Sequence, residues 1–179
     1  MPELNEQAAV AGARHREAGV MLPVYGQLPF VPERASGCEL FTGDGRRILD
    51  LYGGHAVAAL GYGHPQLVRA IQDQSDKLLF QSNSVAMDVR AEAAETLVRI
   101  APKPLDRIFF VNSGAEANEN ALRMACVMTG RKKILAITHG FHGRTAAAAA
   151  VTWNSGKWYG FPFKPIEVDF IARDDVEAA

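Results

Sequence analysis

The chain has 179 residues, 48% apolar and 22% charged, which describes a globular protein and excludes a disordered one. Nineteen Lys and Arg side chains against twenty Asp and Glu leave a formal charge of −1, so no broad basic field draws in nucleic acid or anionic lipid. Cys38 and Cys126 stand far apart with no short-range partner, which argues against a disulfide framework and against a thiolate zinc site. The N-terminus "MPELNEQAAVAGARHREAG" has no apolar signal core, and no run approaches the ~20 apolar residues of a membrane span, so the expected setting is cytoplasmic.

In chain order, residues 1–18 favour a helix, and "MLPVYGQLPFVPERASG" is broken by Pro23, Pro29 and Pro32 into an extended connector. "CELFTGDGRRILDL" predicts two short strands about Gly43, Asp44 and Gly45, because Asp-Gly supplies the positive φ angles of a tight hairpin. "HPQLVRAIQDQSDKLL" sets Leu67, Ile71, Leu78 and Leu79 at helical spacing behind Pro65, and "DVRAEAAETLVRIA" follows with Asp88 as its expected N-cap. Both predict amphipathic helices. "RIFFV" (107–111), "KILAIT" (133–138) and "PIEVDF" (165–170) are short β-rich runs between helical stretches, and "AAAAAV" (146–151) favours helix. Strands alternating with helices give an α/β class with a mainly parallel sheet, preceded by a small β-containing arm.

The stretch "FFVNSGAEANENALRMACVMTG" (109–130) predicts a strand ending at Val111 and a helix from Ser113 to about Thr129, stopped by Gly130 in the left-handed conformation. Ser113 and Glu116 have the spacing of a capping box. Gly114 and Ala115 also leave the first-turn amides without side-chain cover, and the helix dipole favours an anion there by about 0.3–1 kcal/mol. Glu116 and Glu119 are alternative answers to that dipole.

Other chemistries fail on spacing. Gly156-Lys157 is followed by Trp158, not the Ser or Thr of a phosphate loop, and neither "GDGRRI" nor "GYGHPQ" has the third glycine of a dinucleotide turn. His139 and His142 lie among glycines with no third metal ligand at suitable spacing, and no "GxSxG" elbow is present. What remains is "HGFHGRT" (139–145), directly after "KILAIT". Phe141 can lie over a planar ring and Arg144 can grip a carboxylate through two hydrogen bonds; core packing and a surface ion pair are the competing roles. Both loops are expected to follow adjacent strands.

Together, "LDLYGGHAVAALGYGHPQLVRAI", "FFVNSGAEANENALRMA" and "FHGRT" resemble the N-terminal portion of the class III pyridoxal-phosphate-dependent aminotransferases, closest to the acetylornithine and ornithine aminotransferase group. The resemblance runs over roughly residues 20–175, with one departure at Ala35, where glycine is more usual. It implies fold type I, an N-terminal arm over residues 1–58 and an incomplete first part of the large cofactor domain over 59–179. It implies a pyridoxal 5′-phosphate site in which Ser113 starts the turn, Gly114 and Ala115 bind the phosphate, Phe141 stacks on the ring and Arg144 holds the substrate carboxylate. It further implies transamination between an amino donor such as N-acetylornithine and 2-oxoglutarate, in a homodimer. The family's ring-nitrogen aspartate, its Schiff-base lysine and a phosphate-site threonine are expected beyond Ala179, and Lys132, Lys133, Lys157 and Lys164 do not match the lysine motif. No catalytic residue is therefore expected here. The alternative is a fragment that binds phosphate or a complementary chain without turnover, exposing an apolar sheet edge and face.

Overall fold

The computed structural model describes residues 12–159, 163, 165–175 and 177. The chain divides into two compact units, residues 1–85 and 86–179.

In the first unit, helix α1 covers residues 12–20; the earlier part of the expected N-terminal helix lies outside the described residues. The proline-broken connector ends in β1 (Pro32–Ser36), which pairs antiparallel with β2 (Glu39–Thr42), and β2 pairs antiparallel with β3 (Arg47–Leu49). Pro32 opens an edge strand, the sheet position at which a missing N–H disrupts least. The hairpin differs from the expected tight turn. Gly45 N donates to Thr42 O at 3.0 Å, Thr42 N donates to Arg46 O at 3.1 Å, and within the turn only Gly45 has positive φ, at 81°. This is a three-residue loop closed by a left-handed glycine, which needs one positive φ rather than two.

After β3 the backbone makes a left-handed turn, α2 (Gly53–Ala56), in which Gly53, Gly54, His55 and Ala56 have φ between 56° and 62°. For His55 and Ala56 that conformation costs about 1–2 kcal/mol each. Asp50 anchors it: one carboxylate oxygen accepts from the amides of Tyr52 and Gly53, both at 2.9 Å, and the other from the Tyr62 hydroxyl at 2.6 Å. Helix α3 (Pro65–Lys77) follows, with Pro65 in its first turn and His64 Nδ1 accepting from Leu67 N.

In the second unit, α4 (Asp88–Ile100) starts one residue earlier than expected: Met87 is the cap and makes no side-chain bond, so Asp88 contributes its charge inside the first turn. Both anticipated helices form, α3 in the first unit and α4 in the second, but no residue of either is buried, and Leu67, Ile71, Leu78 and Leu79 of the first unit are exposed. The segment 107–111 is a second departure. It forms no ladder among the described residues, and Phe109 is 66% exposed.

Helix α5 (Gly114–Thr129) ends at Gly130, φ 69°, as anticipated. β4 (Lys133–Ile137) pairs parallel with β5 (Glu167–Ile171), from Lys133 opposite Glu167 to Ile137 opposite Ile171. The crossover between them carries α6 (Ala146–Ala150) and α7 (Ser155–Tyr159), and α5 packs on α6. The core of this unit is made of small residues, Ala136 of β4 with Ala148, Ala149, Val151 and Thr152, which allows helix and strand to approach closely. Cys38 and Cys126 are both free. No helix among the described residues is long and apolar enough to cross a membrane.

Candidate active site

The N-terminus of α5 has the capping that the sequence predicts, shifted by one residue on one side. Ser113, extended at φ −152° and ψ 160°, accepts from Glu116 N at 3.1 Å. The Glu116 carboxylate reaches back past Ser113 and accepts from Asn112 N at 2.6 Å. Among the described residues the Gly114 and Ala115 amides donate to no acceptor, and a Cβ placed on Gly114 would meet nothing within 4 Å. Two first-turn donors are thus left open at the positive end of a 16-residue helix.

The loop 139–145 leaves the carboxyl end of β4 and turns back onto this helix end. Gly140 N donates to Ile137 O, His139 adopts φ 65°, and Trp153 N donates to Gly140 O, which folds the loop over the strand end. Gly143 is buried with φ 137°, and a Cβ there would lie 2.6 Å from Ala115 Cβ and 3.0 Å from Ala148 Cβ. Only glycine fits between α5 and α6 at that point. This close approach, rather than strand adjacency, brings the loop that carries Phe141 and Arg144 against Ala115. Phe141 is exposed, and the Arg144 guanidinium carbon lies 6.0 Å from its ring centroid. In open α/β sheets, ligands sit at this end of the strands.

Glu119 does not answer its own helix, as one reading of the sequence had it. Its carboxylate accepts from Thr145 Oγ1 at 2.7 Å, Ala147 N at 3.0 Å and Ala148 N at 2.9 Å, capping α6. Partial burial raises its pKa, but the Thr145, Ala147 and Ala148 bonds and the nearby Arg123 charge outweigh that, and it stays below its usual 4.5. Asn118 Nδ2 donates to His142 O at 2.8 Å, and Thr152 Oγ1 accepts from His142 N at 2.9 Å. Asn118, Glu119 and Thr152 therefore hold the loop, and sequence reasoning did not find them in that role. Helical spacing puts Glu119 one turn beyond Ala115, but nothing in the sequence says that a second helix begins there. A cleft of about 330 Å³ between α6 and β5, lined by Ala146, Ala149, Val168 and Phe170, includes none of the expected site residues.

The open end of α5 thus meets the loop that leaves the carboxyl end of β4, the side of an open α/β sheet on which ligands sit. In shape, the chain superposes on the ornithine aminotransferase of Toxoplasma gondii with a TM-score of 0.83, covering 94% of this chain and 41% of that one at 24% identity. It superposes on a taurine:2-oxoglutarate aminotransferase from Bifidobacterium kashiwanohense, solved in complex with PLP and glutamate, with a TM-score of 0.79 at 26% identity, covering 87% and 36%. The fold is type I of the pyridoxal-phosphate-dependent transferases.

The family model described as "Aminotransferase class-III" matches residues 20–178, and the chain belongs to that family. Among curated relatives it is 37% identical to the acetylornithine aminotransferase of Methanosarcina acetivorans, over 96% of this chain and 43% of that protein. It is 36% identical to a LysW-aminoadipate semialdehyde transaminase of Deinococcus radiodurans, over 98% and 40%. The chain thus spans about two fifths of the length of the curated relatives it matches. Family membership implies pyridoxal 5′-phosphate as the cofactor.

Proposed function

We propose that the complete protein is a pyridoxal-phosphate-dependent transaminase that moves an amino group from N-acetylornithine, or a related ω-amino donor, to 2-oxoglutarate, as in arginine biosynthesis. Relatives named for acetylornithine and for aminoadipate semialdehyde support the donor class. The observation that carries the reading is the packing of Gly143 on Ala115, which brings the loop holding Phe141 and Arg144 to the helix end whose first two amides are unclaimed.

The residues present fit the cofactor. The Gly114 and Ala115 amides would bind its phosphate, with Ser113 holding the turn open, and the exposed Phe141 ring would cover one face of the pyridine. When bound, pyridoxal 5′-phosphate supplies the electron sink that lets an amino group leave one carbon and join another. Arg144 would bind the donor carboxylate through two hydrogen bonds and so orient the carbon that loses its proton. The loop would also shield that carbon from water on one side. The same reading makes the complete protein a cytoplasmic homodimer, with residues 1–58 as its arm and 59–179 as the first part of its large domain.

Arg144→Lys in the complete protein tests this. An ammonium does not reproduce a planar two-pronged contact, so donor KM is expected to rise about 10–100-fold, the equivalent of losing one charge-assisted bond, while cofactor affinity changes little. Equal losses of donor and cofactor affinity would remove Arg144 from the substrate site.

A further inference from the structure

We propose that Glu119 is a positioning residue for the substrate carboxylate: its side chain fixes the backbone on the C-terminal side of Arg144 and thereby sets donor affinity. The inference rests on the carboxylate role proposed for Arg144 and assigns a residue to that role's support.

The 142–148 stretch is tied to α5 by two successive residues of that helix. Asn118 Nδ2 donates to His142 O at 2.8 Å, two residues before Arg144. Glu119 accepts from Thr145 Oγ1, the residue immediately after Arg144, and from the amides of Ala147 and Ala148. Between these ties Gly143 lies against Ala115 too closely for any side chain, so the loop is not free to slide along α5. Arg144 itself is exposed. The bonds of its neighbours help to define where its Cα sits, and Glu119 supplies the set on one side.

The chemistry of the tie matters. Oε2 of the carboxylate accepts from all three donors at the start of α6, and Ala147 N reaches Oε1 as well, where backbone N–H groups have no partner within their own helix. An amide side chain is uncharged and sets an NH₂ against the Ala147 N–H where the second oxygen stood, so the set of bonds is weakened and the one to Ala147 is opposed. The α6 start and Thr145 would then move relative to α5, carrying Arg144 with them. The phosphate donors at Gly114 and Ala115 belong to α5 itself and stay in place. Loss of Glu119 should therefore separate the two affinities.

The experiment uses the complete, cofactor-loaded protein and compares Glu119→Gln, Thr145→Val and Arg144→Lys with the parent. Glu119→Gln is expected to speed hydrogen exchange at the Ala147 and Ala148 amides about tenfold and to raise donor KM about 5–10-fold, as loss of one or two net hydrogen bonds does. The kcat and the cofactor affinity should stay within about twofold of the parent, since a mispositioned binding group acts on substrate binding. Thr145→Val removes one of the bonds and should show the same split at a smaller size; it serves where Glu119→Gln does not fold. A stable Glu119→Gln protein with unchanged exchange or unchanged donor KM, alongside a raised KM in Arg144→Lys, overturns the role of Glu119 alone. Unchanged KM in Arg144→Lys overturns the carboxylate reading and the role of Glu119 with it.

Discussion

Replacing Gly143 with alanine tests the packing on which the site depends. The residue has φ 137°, which L side chains rarely adopt, and a Cβ would stand 2.6 Å from Ala115 Cβ, 3.0 Å from Ala115 Cα and 3.0 Å from Ala148 Cβ. The backbone term is about 1–3 kcal/mol, and forcing a methyl into a packed site costs a further ~1–3 kcal/mol, so Gly143→Ala should destabilise by about 2–6 kcal/mol. Set against a total stability of about 5–15 kcal/mol, that is a large loss. Urea denaturation followed by circular dichroism measures it. A control separates the two terms: at Gly45, φ is 81° but nothing lies within 4 Å, so Gly45→Ala should cost only the backbone part. Ala115→Gly placed in the Gly143→Ala background removes the shortest contact and should recover part of the loss, giving a favourable coupling in the double-mutant cycle. A Gly143→Ala protein within about 0.5 kcal/mol of the parent, the range of ordinary surface changes, would show that the loop does not sit against α5 as described.

Two more outcomes follow from the same geometry. Thr152 is 3% exposed and its hydroxyl accepts from His142 N and donates to Ala148 O, both at 2.9 Å; Thr152→Val leaves a loop amide without its acceptor and should lower the urea-measured stability by about 1–3 kcal/mol, whereas Thr152→Ser should keep most of it. Equal stabilities for the two variants would contradict the bond. The Tyr62 hydroxyl, followed by the Gly53 and Tyr52 amides, holds Asp50 below its usual 3.8. A carboxyl whose folded pKa is depressed contributes stability above its unfolded value and loses it as pH falls through the folded one. The Tyr52 and Gly53 amide signals should therefore titrate with a midpoint below 3.8, and Asp50→Asn should abolish the titration; a midpoint above 3.8 would contradict the anchor.

Much of this site was legible because glycine and capping residues act locally. Ser113, Gly114 and Gly130 mark the two ends of α5 through backbone chemistry that no distant residue overrides, and both ends stand where the sequence places them. The strands at 133–137 and 167–171 were equally readable from their apolar, β-branched runs. Residues 107–111 were not: a strand is a property of two segments, and the β-rich run "RIFFV" says nothing about whether a neighbour is present. The left-handed turn at 53–56 was also hidden, since His55 and Ala56 take a conformation that only the Asp50 bonds and the surrounding backbone impose. Glu119 escaped for a related reason. Its spacing suits an acid near the start of α5, and its real partners come 26 to 29 residues later, across a contact that only the fold makes.

The central claim is that the cofactor phosphate docks on the open end of α5. Crystals of the complete protein soaked with pyridoxal 5′-phosphate test it most directly. The account predicts phosphate oxygens within hydrogen-bond distance of the Gly114 and Ala115 amides, with the ring beneath Phe141. Phosphate density at any other helix end, with these two amides left facing water, would contradict it.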